Sequence, residues 1–363
     1  MRILSVVDGV GWSGTKSQVY LLAKELHRRG VDITVALSYQ YTLMQEKLNA
    51  CGVKWVPFEN HTPFNRVNPF NYVRLRSLIK EGGYHAVIAN SPHALDFVRV
   101  SLALLRKKPK MVVVKRSSRK PNIFSLRFKY SAADAVVCVS NIVKEEMLKA
   151  GFPEEKLHVI YSAIETDRFR PLDGVKKTKR KSLGIPPDAF VFINVANWNP
   201  PVKGQDGLIR TFSQLSCDKC YLVLVGYKTE EEAKRVASLY GVEKKVIGLG
   251  FREDVEELLN MADAFVLSSH LEGLPNALLQ AMACALPVIS SSTGGALEVI
   301  REGVNGFIFP VGDWNALLKK MRHLLYMKEE ERRSIGTRAR ETALEFSVEN
   351  TAQKYIELLQ KLI

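Results

Sequence analysis

The chain has 363 residues, too many for one compact core, and its 46% hydrophobic and 25% charged content is that of a globular protein of two domains. Its amino terminus enters an apolar strand directly, with no signal-peptide pattern and no apolar run of about 18 residues, which argues against secretion by that route and against a membrane span. The net charge of +14 is uneven: residues 1–170 carry 27 Lys and Arg against 14 Asp and Glu, and residues 171–363 carry 25 against 24.

Strands are predicted at Ile3–Val7, Ile33–Leu37, Trp55–Phe58, Ala86–Ala89, Met111–Lys115, Ala135–Val139 and His158–Tyr161. Helical patterns lie between them at Ser17–Arg29, Pro69–Lys80, Ala94–Leu105 and Asn141–Ala150. Such alternation predicts a parallel sheet covered by helices on both faces. Residues 171–185, opening "PLDGVKKTKRK", are polar and lysine-rich and read as a linker. A second alternation follows, with strands at Phe190–Val195, Tyr221–Val225, Val246–Leu249, Ala264–Ser268, Pro287–Ser290 and Phe307–Pro310. Its helices fall at Gln205–Leu215, Thr229–Tyr240, Val255–Met261 and Asn276–Cys284, and the chain closes on a helix over Val348–Leu362. The prediction is α/β, two doubly wound domains, with ligands beyond the carboxyl ends of the strands.

The cysteines at 51, 138, 217, 220 and 284 are odd in number and scattered, which fits a reducing cytoplasm rather than a disulfide framework. The lone C-x-x-C, Cys217 to Cys220, lacks a second pair or a nearby His and reads as an accident of sequence, not a metal or redox site. No D-x-D triplet or His cluster suggests a metal. Gly9, Gly11 and Gly14 spell G-x-G-x-x-G after the first strand. A dinucleotide site also needs an acid at the end of the second strand, and the acid present, Asp32, stands at its start. Gly11 to Thr15 therefore reads as a phosphate-facing loop at a helix N-terminus, or as a tight turn.

Residues 263–312 carry more information. A strand ends at Ser268-Ser269, Glu272-Gly273 follows, and Pro275 reads as the first residue of a helix through Cys284. A second strand ends at Ser290, and Gly294-Gly295 opens another helix with Glu298 in its first turn. Two helix N-termini side by side suit a nucleoside diphosphate.

This stretch resembles the family 4 retaining glycosyltransferases of GT-B fold, whose pattern E-G-x-P-N-x-x-L-E-A-M-A-x-x-x-P-V, G-G-x-x-E, G-x-x-G is met by Glu272 to Asn276, Ala281 to Ala283, Pro287-Val288, Gly294-Gly295 with Glu298, and Gly303 with Gly306. "HVIYSAIETDRFRP" and "GLGFREDVEELLNMADAFVLSS" extend the likeness over nearly the whole chain. The resemblance implies two Rossmann-like domains facing across a deep cleft: 1–170 for the acceptor, 186–345 for the nucleotide sugar, and 346–363 as a helix returning to the first. It implies transfer of a hexosyl group from a nucleoside-diphosphate sugar, a UDP-sugar first, to a hydroxyl of a lipid-linked, lipopolysaccharide or polysaccharide acceptor. No metal or other cofactor is implied.

The resemblance assigns Glu272 to the donor sugar, Lys203 to the donor phosphates and His93 to the sugar from the first domain. Gly11 and Gly14 would close over the phosphates. Gly250, Phe251 and Arg252 would abut the base, Gly273, Leu274 and Pro275 belong to the same motif, and Asn276, Ala277 and Leu278 would offer helix N-terminal donors. Gln280 stands where the family has its second Glu, a neutral amide toward the ribose. Trp198 stands where a phosphate-binding Arg precedes the Lys, with Arg252 or Lys16 as replacements; Lys16 stands where many relatives have an acid, and Ser162-Ala163 replaces Asn-Gly.

From Arg99 to Lys129 the chain has 11 basic residues and no acidic one. Arg99, Arg106, Lys107, Lys108, Arg116, Arg119 and Lys120, beside apolar Val100, Leu102, Leu104 and Leu105, suit a lipid-linked acceptor at an anionic membrane surface, the inner face of the plasma membrane. The alternatives are a solvated basic face or, with Phe124, Phe128 and Tyr130 interleaved, a single-stranded nucleic-acid binder, which leaves 263–312 unexplained. An epimerase, a phosphorylase or an inactive donor-binding relative also stays open.

Overall fold

In the computed structural model, which describes residues 1–103, 105–122 and 125–363, the apolar runs of the first half become seven strands. The elements are β1 (Arg2–Val6), α1 (Gly14–Arg28), β2 (Asp32–Ser38), α2 (Thr42–Ala50), β3 (Lys54–Glu59), α3 (Pro69–Gly82), β4 (Ala86–Ala89), α4 (Pro92–Ala103), β5 (Lys110–Lys115), β6 (Ala135–Cys138), α5 (Asn141–Lys149) and β7 (Leu157–Val159). All pairings are parallel, in the order β3-β2-β1-β4-β5-β6-β7, with Ile3 opposite Ile33 on one side and Ala86 on the other. Strands such as Ala-Val-Ile-Ala of β4 are apolar on both faces because helices cover both. Helix starts follow capping chemistry: the Asn68 side chain accepts from Phe70 N–H ahead of Pro69, and Ser140 accepts from Val143 N–H.

The second unit, Ile164–Ser347, runs α6 (Val175–Ser182), β8 (Phe190–Val195), α7 (Pro200–Lys203), α8 (Gln205–Ser213), β9 (Cys220–Val225), α9 (Thr229–Ser238), β10 (Val246–Gly248), α10 (Val255–Met261), β11 (Ala264–Leu267), α11 (Asn276–Ala283), β12 (Val288–Ser291), α12 (Ala296–Val299), β13 (Phe307–Phe309), α13 (Trp314–Tyr326) and α14 (Glu329–Leu344). Its parallel sheet is ordered β10-β9-β8-β11-β12-β13. Both sheets have the doubly wound order, so each has a switch point: between β1 and β4 in the first, between β8 and β11 in the second. The last helix, α15 (Val348–Leu362), belongs to the first unit, where it packs on α1 and Thr351 Oγ1 donates to Tyr161 O at 3.2 Å. Among the described residues no helix is long and apolar enough to cross a membrane.

Two expectations are corrected. The polar segment 171–185 is no free linker. It contains α6, packed on α10, with Arg180 at 2% exposure donating to Met261 O, Pro187 O, Ala189 O and the Asp263 carboxylate. Lys176 and Lys179 pair with Asp263 and Asp254 at 2.7 Å, so acids from the α10–β11 region neutralise the charges that made the segment read as a linker. The C-x-x-C is a Cys217–Cys220 disulfide across the turn from α8 into β9.

Candidate functional site

The switch point of the second unit joins the loop after β8 to the loop after β11. Lys203 Nζ donates to Glu272 Oε1 at 2.7 Å, with both side chains mostly covered. Two hydrogen bonds hold the two loops in register: Ser268 Oγ donates to Lys203 O at 2.8 Å and His270 N–H to Val202 O at 2.7 Å. Gly204, at φ +64°, makes the approach possible, because a Cβ there would stand 2.3 Å from Ser268 O.

The Gly294-Gly295 turn opens α12 with Glu298 in its first turn, as expected, and it has a further task. Gly295 N–H donates to Gly273 O at 2.5 Å, and a Cβ on Gly294 would stand 2.3 Å from Glu272 O. Glu272 N–H donates to Thr293 Oγ1 at 3.1 Å. The turn braces the Glu272 loop, and α12, which holds Glu298, is only four residues long. Pro275 is the N-cap of α11 and Asn276 its first residue. Asn276, Ala277 and Gln280 form the half-exposed side of that helix, while Gly273, Leu274, Pro275 and Leu278 are buried. Leu278 is no open donor, since its N–H is taken by Pro275 O at 3.1 Å.

Beside this, Tyr227 after β9 and Phe251 after β10 stack with centroids 4.8 Å apart and planes 9° from parallel. Gly250, buried at φ +66°, donates its N–H to Thr229 Oγ1 and accepts Gly226 N–H on its carbonyl. Arg252 is held bidentately by Asp254 at 2.8 and 2.7 Å, which lowers that carboxyl's pKa, so its guanidinium is committed locally. Trp198 packs against the apolar core of the unit. A cavity of about 380 Å³ lies at the opposite, amino-terminal ends of strands β8, β11 and β12, lined by Phe190, Asp263 and Pro287, and its Arg180, Lys176 and Arg333 are paired with acids.

In the first unit, Asp8 follows β1 and Ser91 and His93 open α4 after β4, again at the switch point. Ser91 Oγ donates to Asp8 Oδ1 and accepts from Ala94 N–H, capping the helix. His93 Nδ1 lies 3.3 Å from Asp8 Oδ2 and 3.3 Å from Arg66 Nη2. Burial alone would raise the Asp8 carboxyl, but the hydrogen bonds from His93 and Ser91, with the positive charge of Lys16, outweigh it and bring the pKa down to about 2. Glu59, fully buried at the end of β3, accepts from Gly9 N–H at 2.5 Å and Asn65 Nδ2 at 2.9 Å, and burial raises its pKa. Gly11, at φ +86°, accepts on its carbonyl from Tyr41 Oη at 3.1 Å, and Gly14 begins α1. Lys16 stands against Asp8 and Glu59, and burial lowers its pKa.

Of the basic residues expected on a surface, Arg106, Lys107, Lys108, Arg119 and Lys120 are exposed and Arg99 is half-buried. Arg116 is turned inward near Tyr355, its Nη2 3.5 Å from Asn90 Oδ1, and burial lowers its pKa. It therefore leaves the proposed surface. Leu104 and Phe124 lie outside the described residues.

Comparison with known proteins gives this arrangement a family. The profile for Glycosyltransferase Family 4 matches residues 12–168, and that for Glycosyl transferases group 1 matches residues 175–342. This chain belongs to the glycosyltransferases of those families. EpsD of Bacillus subtilis (strain 168) is 32% identical over 231 residues, 61% of this chain and 60% of that one. The Campylobacter jejuni N,N'-diacetylbacillosaminyl-diphospho-undecaprenol alpha-1,3-N-acetylgalactosaminyltransferase is 31% identical over 248 residues, 67% of this chain and 64% of that one. The chain thus spans about half to two thirds of the length of the curated relatives it matches. The solved structure of Anabaena HepE in complex with UDP and glucose superposes with TM-score 0.87 at 22% identity, covering 99% of this chain and 100% of that one, which establishes the GT-B fold.

Against this glycosyltransferase background, sequence reasoning missed Asp8, Ser91, Glu59 and Tyr227. Asp8 and Ser91 follow strands at the same switch point as His93, which the family resemblance had singled out. Glu59 carried no signal, because a carboxylate closing a strand usually faces water.

Proposed function

We propose that the chain transfers a hexosyl group from a nucleoside-diphosphate sugar, a UDP-sugar first, to a hydroxyl of a lipid-linked, lipopolysaccharide or polysaccharide acceptor, with retention and without a metal. The Lys203–Glu272 pair at the second unit's switch point carries this reading. In it, Lys203 meets the diphosphate and offsets the charge that grows as the bond to the sugar breaks, and Glu272 accepts from a sugar hydroxyl. The half-exposed side of α11, with Gln280, faces the ribose, and the Tyr227–Phe251 stack supports the base. The first unit takes the acceptor and supplies His93, oriented by Asp8. Its exposed cations suit an acceptor on an anionic surface, the inner face of the plasma membrane, whereas a nucleic-acid reading leaves the Lys203–Glu272 site without a role.

The family and the domain order support this reading, as does the undecaprenol-linked acceptor in the name of the Campylobacter relative. A thermal-shift screen with UDP-, GDP- and ADP-sugars tests it: one class raises the melting temperature at millimolar concentration. Incubation of that donor with a diphospho-undecaprenol-linked saccharide, with chelator present, then releases nucleoside diphosphate and yields product of unchanged anomeric configuration by NMR. Failure of all three donors to stabilise the chain overturns it.

A further inference from the structure

Residues 64–73 are built inside out. Asn65 and Asn71 are 7% and 2% exposed, while Phe64, Val67, Phe70 and Val73 are 74%, 75%, 77% and 60% exposed. On α3 the inward stripe is Asn71, Leu75, Ile79, and the outward stripe begins Phe70, Val73. A single exposed apolar side chain is ordinary, but four within ten residues form a patch that calls for an apolar partner.

The patch is held in place. Asn65 Nδ2 donates to Glu59 Oε2 at 2.9 Å, Asn71 Nδ2 donates to Asn65 O at 2.9 Å, and Tyr72 Oη donates to Arg66 O at 2.6 Å. The buried polar side chains are thus a scaffold that turns the apolar ones outward. Arg66, between Phe64 and Val67, reaches His93 at 3.3 Å, so the patch adjoins the first unit's switch point.

Charge selects the partner. Residues 60–80 contain Arg66, Arg74, Arg76 and Lys80 and no Asp or Glu. Helix α4 packs against α3, exposes Val100, and leads to Arg106, Lys107 and Lys108. A second copy of this face would set cations against cations. An anionic bilayer satisfies both features, with phosphates on the cations and the interfacial apolar zone around the phenyl rings.

We propose that Phe64, Val67, Phe70 and Val73 form an insertion surface through which the first unit seats on an anionic lipid bilayer. Its use in turnover rests on the lipid-linked acceptor proposed above; its existence rests on the exposure and charge pattern. Seating here brings the headgroup layer, where a lipid diphosphate saccharide sits, to the loop that carries Arg66 next to His93.

Flotation of the full chain with vesicles tests the proposal, without nucleotide or acceptor. The chain is expected to float with phosphatidylglycerol–phosphatidylethanolamine vesicles and not with phosphatidylcholine vesicles. Phe64→Ser with Phe70→Ser lowers partitioning by about tenfold or more, since each ring loses apolar burial. Arg74→Gln with Lys80→Gln weakens binding and flattens its salt dependence. All four positions are exposed, and unchanged melting temperatures check the fold. With a soluble acceptor the Phe variant keeps its rate, and with vesicle-embedded acceptor it slows.

No binding of the parent chain to anionic vesicles at low salt overturns the inference. So does equal binding by the Phe variant, or a dimer in light scattering that the Phe variant splits while vesicle binding is unchanged. A chain that floats but is not stabilised by any nucleotide sugar sinks the transferase reading and leaves this one; the converse sinks this one alone.

Discussion

Lys203 and Glu272 stand 69 positions apart in sequence, and their ammonium and carboxylate meet at 2.7 Å. On the proposed reading, a donor diphosphate would compete with Glu272 for the same ammonium. On that basis Lys203→Ala should do more than weaken donor binding. It removes the cation opposing charge on the leaving group, and kcat falls by roughly 10²–10³. Glu272→Gln removes the competitor, so nucleoside-diphosphate affinity holds or rises while kcat falls. Calorimetric titration with UDP beside single-turnover rates separates the two. Equal losses of affinity in both variants would show that the pair is only structural.

The loops bearing this pair meet at glycines that tolerate no side chain. At Gly204 the positive φ and the overlap with Ser268 O act together, so Gly204→Ala should destabilise by roughly 3 kcal/mol or more. Gly294→Ala, set against Glu272 O, behaves alike. Gly11 has a positive φ and open space around it, so Gly11→Ala costs only about 1 kcal/mol. Urea denaturation of the three variants gives the ranking. A Gly204→Ala protein as stable as Gly11→Ala would sink the close-approach argument.

Much of this was legible in the sequence. Phe190–Val195, Val255–Met261 and Val348–Leu362 have the observed bounds, because apolar periodicity and turn residues agree there. Glu272, Lys203 and His93 all lie at switch points, as loops after strands should. Three kinds of fact were hidden. Helix α6 reads as a charged linker until Asp254 and Asp263, about 75–85 residues on, supply its counter-charges. The Gly-Gly motif reads as an anion cradle until Gly295 N–H is found spent on Gly273 O. Charge also does not reveal direction. Lys115 and Arg116 sit in the basic run, yet both turn inward, and burial brings Lys115 down to about 8.

The Asp8 carboxyl sets an acid dependence of stability. Its folded pKa, about 2, lies below its ordinary 3.8. Its contribution is therefore complete above pH about 4 and is lost as pH falls through about 2, amounting to about 2 kcal/mol. Its neighbour Glu59 acts in the opposite sense, because a raised pKa costs stability as pH rises past its ordinary 4.5. The two are separated by subtracting an Asp8→Asn protein from the parent across pH about 2 to 6. The difference should shrink toward the acid end, and a flat difference would mean that Ser91 and His93 do not stabilise the carboxylate.

The Tyr227–Phe251 stack offers a test confined to the base. Two rings 4.8 Å apart and nearly parallel form a rigid apolar shelf that costs little side-chain entropy on binding. Truncating one ring removes its own stacking and frees the other to turn, so the loss should fall on affinity and leave the chemical step alone. Phe251→Ala is expected to weaken UDP by about five- to tenfold, the size of one aromatic contact. Phe251→Tyr should retain most of the affinity, because the stack needs a face and not a hydroxyl. Single-turnover rates at saturating donor stay within about twofold of the parent, in contrast to Lys203→Ala. If Phe251→Ala instead lowers that rate as much as Lys203→Ala does, the shelf acts on the reacting sugar and the assignment to the base is wrong.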